Sequence, residues 1–233
     1  MTRRPNYRGV AVLFPLGVPI LAAGLVVGVL AGVDAGHWIA YVTGVSLLGL
    51  VDDLMGGPGP RGVRGHGAAL SSGRPSTGAL KAIGTVALAA WATPGEGASY
   101  LLDVGVLALA PHAANLIDLR PGRAEKAVAL ALAVLCAIAG SAAPLAPVWP
   151  FAAAAAAGAL FTLRERAMLG DSGASLIGAV AGVACVSALG AAGTAIALAA
   201  LIAISLYGEF RSIAAAIDRL PLLERLDSLG RSN

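Results

Sequence analysis

The sequence predicts an all-α polytopic membrane protein of about eight transmembrane helices, with both termini cytoplasmic. Three observations predict it. First, 58% of the 233 residues are hydrophobic and only 12% are charged, with a mean hydropathy of +0.81. A soluble domain carries about twice that charge. Second, the apolar residues run continuously and do not alternate, which excludes a transmembrane β-barrel and leaves helices to satisfy the backbone in lipid. Third, all 16 Lys and Arg residues can be placed on one side of a membrane. That asymmetry is the positive-inside pattern.

The apolar runs place spans at roughly 10–32, 37–51, 77–92, 99–114, 126–143, 147–163, 173–190 and 193–208. Arg3, Arg4 and Arg8 precede the first, and Arg61, Arg64, Arg74 and Lys81 follow the second. Arg120, Arg123 and Lys126 follow the fourth, Arg164 and Arg166 the sixth, and Arg211, Arg219, Arg225 and Arg231 the eighth. The alternate connections, near Asp34, Glu96, Pro144 and Gly190, hold no Lys or Arg. The basic start followed by an apolar stretch has the outline of a signal peptide. The seven apolar segments that follow favour an uncleaved first span. Pro15 and Pro19 are expected to bend that span, and Pro111 the fourth.

Several runs are shorter than the ~20 residues that cross a bilayer unaided. Their Gly and Ala content, as in Ala152 to Ala157, points to close helix packing through small residues. Cys136 and Cys185 fall inside spans and read as apolar filler. The net charge of +3 is spread over loops and gives no nucleic-acid signal. The chain divides into a transmembrane helical domain, 1–208, and a cytoplasmic tail, 209–233. In the tail, Ile213, Ile217, Leu220 and Leu223 suggest an amphipathic helix on the inner leaflet. The connection from Met55 to Ser76 is rich in Gly, Pro and Arg and reads as a mobile cover or a linker.

Four constellations can carry chemistry. Asp52 and Asp53, in Leu48-Gly-Leu-Val-Asp-Asp-Leu54, sit at a helix C-terminus where the dipole is already negative. Adjacent helical residues point about 100° apart, so one can meet a metal while the other holds a cation or accepts a proton. Asn115 and Asp118, in Pro111-His-Ala-Ala-Asn-Leu-Ile-Asp-Leu-Arg-Pro-Gly-Arg123, share a helical face. Asn115 suits a sugar or phosphate, Asp118 a metal or a hydroxyl, and Arg120 and Arg123 offer phosphate-matched forks. A capped turn with arginines anchoring the membrane edge explains the same residues equally well. Asp171, in Met168-Leu-Gly-Asp-Ser-Gly173, opens a helix. Asp171 or Ser172 fits an N-cap, or Asp171 brings Mg²⁺ to an anion seated at the helix N-terminus, with Gly170 and Gly173 admitting a phosphate.

Lys81 lies about one turn inside a helix, where it snorkels or turns toward the carboxylates to bind a lipid phosphate. His66, in the loop, is a weaker binding candidate. No Walker loop, GxSxG elbow or HExxH occurs, and His37, His66 and His112 are too few for a His-based metal site. The inventory is oxygen-rich, cytoplasmic and beside lipid. It suits Mg²⁺-assisted transfer of a phosphorylated group onto a lipid carrier.

Gly49-Leu-Val-Asp-Asp53, Asn115-Leu-Ile-Asp118 and Met168-Leu-Gly-Asp-Ser-Gly173, in this order, resemble the polyprenyl-phosphate N-acetylhexosamine-1-phosphate transferases, a glycosyltransferase family 4-like (MraY/WecA-like) group. Arg8-Gly9 and Thr77-Gly-Ala-Leu-Lys81 extend the resemblance to about residue 182. It implies attack of a membrane polyprenyl (undecaprenyl) phosphate on the β-phosphate of a UDP-N-acetyl sugar, releasing UMP, in cell-envelope glycan synthesis. It implies Asp171, with Asp118, as ligands of Mg²⁺ (or Mn²⁺), and Asp52 and Asp53 at the lipid phosphate. Asn115 and Asp118 would serve the nucleotide-sugar side and Lys81 would pair with phosphate. The expected setting is the cell membrane, with the active site on the cytoplasmic face; a homodimer is compatible with it. Where many members carry a further aspartate this chain has Pro121, and it lacks their late His-rich loop. Those departures motivate an alternative: a non-catalytic polyprenyl-phosphate-binding or envelope-assembly membrane protein.

Overall fold

The structure, a computed structural model, describes residues 2–34, 36–56 and 76–229, apart from the side chains of 222, 223 and 226. It opens with two short strands, β1 (Thr2–Pro5) and β2 (Ala11–Phe14). Eight longer helices follow: α1 (Gly17–Leu30), α2 (Gly36–Met55), α3 (Thr77–Ala92), α4 (Gly97–Ile117), α5 (Arg123–Ala139), α6 (Trp149–Thr162), α7 (Gly170–Ala188) and α8 (Ala191–Phe210). A 3-10 turn at Ala143–Leu145 precedes α6, and two short helices, α9 (Ile213–Asp218) and α10 (Pro221–Ser228), close the described chain. The apolar runs of the sequence thus map onto helices. Among the described residues α2, α4, α7 and α8 are long and apolar enough to cross a membrane, while α1, α3 and α6 are shorter apolar helices.

The first span departs from expectation. Residues 11–14 form a strand paired antiparallel with β1, and the helix starts only at Gly17. The turn between the strands explains this. The Asn6 side chain accepts from the N–H groups of Arg8 and Val10, at 2.9 and 3.0 Å, and Gly9 takes a φ of +79°. Such a residue pair closes a hairpin. Val12 and Phe14 then point inward while Ala11 and Leu13 do not, which is strand alternation. Pro15 lies before α1 and Pro19 in its first turn, where proline costs no interior hydrogen bond.

Helix α7 is the axis of the fold. It packs chiefly on α2 and α4, with α5, α1, α6 and the 3-10 turn around them. Small residues let the backbones touch. A Cβ at Gly17 would fall 2.2 Å from the Gly173 nitrogen, and one at Gly49 would fall 2.4 Å from the Asp171 carbonyl oxygen. At Gly178 it would fall 2.6 Å from the Ala110 carbonyl oxygen. These contacts bring the C-terminal end of α2 against the N-terminal end of α7. Tyr41 ties α2 to α4 by donating its hydroxyl to the Leu107 carbonyl at 2.6 Å.

The tail is tied to the body. Arg123 and Asp227, both nearly fully buried, form a two-pronged pair at 2.8 and 2.7 Å. Lys126 donates to the carbonyls of Asp227 and Leu229.

Candidate functional site

The end of α2, the end of α4 and the start of α7 meet at one cavity of about 520 Å³. Its wall includes Asp52, Asp53, Asn115, Asp118, Glu125 and Asp171, with Arg4 and Arg120 as cations. The N-terminal hairpin supplies Arg4. Strand β2 lies along the connection before α7, where the Leu13 N–H donates to the Arg166 carbonyl and the Met168 N–H to the Leu13 carbonyl. Arg4 stacks over Phe14 and donates to the Asp53 carbonyl at 3.0 Å.

Asp53 does what the sequence alone does not disclose. Its carboxylate accepts the N–H groups of Asp171 and Ser172 at 2.8 and 2.9 Å and the Ser172 hydroxyl at 2.7 Å. It therefore caps the N-terminus of α7 from a different helix. The expected local cap by Asp171 or Ser172 is replaced, since Leu169 takes the N-cap position without a side-chain bond. The α7 dipole, positive at this end, offsets the unfavourable α2 dipole. Gly170 and Gly173 admit close protein neighbours. A Cβ on Gly170 would meet Pro15 and Asp53, and one on Gly173 would meet Leu169 and Gly17.

Asp52 diverges from Asp53, as adjacent helical residues must, and accepts the Thr77 hydroxyl at 2.5 Å. Lys81 does turn toward the carboxylates: its ammonium lies 2.8 Å from Asp171 Oδ2. Asn115 donates to the Pro111 carbonyl and to Ser175 Oγ, at 3.0 and 2.9 Å. Asp118 stands at the C-cap of α4. Burial, followed by the charges of Glu125, Asp171 and Asp53, holds its carboxyl well above the usual range, against the pull of Arg123.

The arginines have partners that the sequence does not reveal. Arg120 pairs with Asp218 at 3.3 Å and Arg123 with Asp227. Both forks expected to take phosphate hold tail carboxylates, although Arg120 still lines the cavity. His66 lies outside the described residues. Glu125 was not singled out in the sequence, yet it is buried at the wall of the cavity. Its position at the start of an apolar run, beside Lys126, gives no local signal of burial.

Mg²⁺ or Mn²⁺ can be judged by the donors present. Among the described residues no group of three His, Cys, Asp or Glu is arranged to hold a metal ion. Asp53 spends both oxygens on α7, and Asp171 is neutralised by Lys81. As folded, Asp118 and Asp171 do not make a resident metal centre. Geometry aside, likeness gives no further guide: no family model, no curated protein and no solved structure matches the chain.

Proposed function

We propose that this chain transfers a sugar-1-phosphate from a UDP-N-acetylhexosamine-type donor to a polyprenyl phosphate in the cell membrane, releasing UMP. One observation carries the reading. Three acidic motifs far apart in sequence, from α2, α4 and α7, meet at one cavity with Lys81 reaching Asp171 at its edge. In this reading the eight longer helices cross the membrane, both termini are cytoplasmic, and the cavity opens to the cytoplasmic leaflet. The basic loops agree with that orientation.

The reaction forms one P–O bond and breaks another. An oxygen of the lipid phosphate attacks the β-phosphorus of the donor, and the bond to UMP breaks. Both reactants are anionic, so positioning and positive charge dominate the catalysis. Lys81 would exchange Asp171 for a phosphate oxygen, and Arg4 and Arg120 would add charge from the opposite wall. Asp171, released from Lys81, would accept the proton of a monoanionic lipid phosphate. Asp53 is a positioning residue here, because it holds the start of α7. Asn115 and Asp118 would face the sugar side.

The test is turnover by the purified chain in detergent with undecaprenyl phosphate and a panel of UDP-sugars, with Mg²⁺, with Mn²⁺ and with EDTA. UMP release that depends on both substrates supports the proposal. No release across the panel, while a known transferase works alongside, overturns it. A second reading, a polyprenyl-phosphate-binding protein without turnover, draws on Asp53 and Asp171 already being matched by protein groups. Lipid-phosphate binding that survives Asp171→Asn, with no UMP formed by the wild type, would favour it.

A further inference from the structure

We infer that Glu125, with Asn115, forms a subsite of the cavity that recognises hydrogen-bond donors on the sugar of the donor substrate. The inference deepens the transferase reading and rests on it. Glu125 stands in the first turn of α5 and is 9% exposed. One carboxylate oxygen accepts the Thr162 hydroxyl of α6 at 2.5 Å. The other, Oε2, is buried and has no hydrogen-bond partner among the described residues. Asn115, in the same cavity wall, repeats the pattern. Its amide nitrogen is spent on Pro111 and Ser175, and its Oδ1 is buried and unpartnered among the described residues.

Folded chains match buried acceptors with donors, so an unmatched one is open to a donor from outside the chain, a water or a ligand group. That group must bring O–H or N–H. A fully deprotonated phosphate or diphosphate cannot, because it only accepts, and the one proton of a monoanionic lipid phosphate is already assigned to Asp171. Among the described residues no group of three His, Cys, Asp or Glu stands there to hold a resident cation. Arg123 also keeps an unpartnered Nη1. It stands two residues before Glu125, and helix positions i and i+2 do not face each other. An N-acetylhexosamine carries hydroxyls and one amide N–H. A wall of unmatched acceptors binds such a group and rejects an analogue without the donor, because the acceptors would then stay bare. Thr162 is a positioning residue in this arrangement, since it fixes which oxygen of Glu125 remains open.

The experiment compares the full chain with Glu125→Gln and Thr162→Val in lipid nanodiscs. Calorimetry measures binding of UDP-GlcNAc, UDP-GalNAc, their 3-deoxy and 4-deoxy analogues, and UDP alone. Glu125→Gln is expected to weaken a UDP-sugar at least tenfold and leave UDP unchanged. One deoxy analogue is expected to bind wild type and variant equally. Thr162→Val shifts the same way by less, and it carries the test if Glu125→Gln fails to fold. Equal UDP-sugar binding by wild type and variants overturns the subsite alone, as does equal loss of UDP. If the wild type binds none of these UDP-sugars, the transferase reading falls and the subsite with it.

Discussion

Helices α7 and α8 are neighbours in sequence, 19 and 20 residues long, and both are apolar enough to span a bilayer. Their most apolar windows have hydropathies of 1.4 and 1.9, yet the first is 72% buried and the second 6%. The more hydrophobic helix is the one left outside. In water the reverse would hold, because apolar surface would be driven inward. In a bilayer that drive is absent, and what remains is how closely backbones can approach. Helix α7 offers Gly173, Gly178 and Gly182 to its neighbours, whereas α8 presents Ile196, Ile202 and Leu206 outward. Residue size, not hydropathy, sorts these two helices.

The strongest way to break the comparison is to enlarge α7. Gly178→Leu places carbon where Ala110 and Pro111 already stand, and should cost about 3 kcal/mol or more. Thermal melting in detergent reads this, and an unchanged midpoint would remove the packing argument. Next comes the chemical end of α7. Asp171→Asn should lower turnover about 100-fold, the scale of losing one aligned charged group, with the melting midpoint nearly kept. Full activity in that variant would take Asp171 out of the mechanism.

Removing the remote cap should be milder. Asp53→Ala leaves the Asp171 and Ser172 N–H groups bare and should cost about 2 kcal/mol. Asp52→Ala loses the bond to Thr77 but bares no N–H at the start of α7, and should cost less. Equal losses in the pair would contradict the capping role.

The pH response sharpens the picture further. The folded chain holds the Asp118 carboxyl above its unfolded value of about 3.9. Its neutral form is thus favoured by folding. The stabilisation is complete below that unfolded value and is lost as pH rises through the folded one. Melting temperature should fall across that window, and Asp118→Asn should flatten the slope; an equally steep slope in the variant would exclude Asp118 as its source. Smallest of all, Ala199→Leu on the exposed face of α8 should shift stability by no more than about 0.5 kcal/mol. A large shift there would show that α8 is covered.

Much of this was legible in the sequence because apolar runs and motif order are local signals. The helices fall where the runs fall, and Asp52, Asp53, Asn115, Asp118 and Asp171 share a wall as their common placement at helix ends implied. What was hidden depends on partners far along the chain. Asp53 meets Asp171 across 118 positions, so its capping role has no local signature. Arg120 and Arg123 look like phosphate ligands until Asp218 and Asp227 are seen beside them. Ala-Val-Leu-Phe at 11–14 is apolar in a strand or a span, and only the Asn6–Gly9 turn decides between them.

The pairing of Arg123 with Asp227 also orders biogenesis. The aspartate is made 104 residues after the arginine, so a nascent chain carries α5 with its guanidinium lacking that counter-charge until those residues have been added. Quality control that samples the chain before α10 is made would meet that bare cation, and α10 is what conceals it.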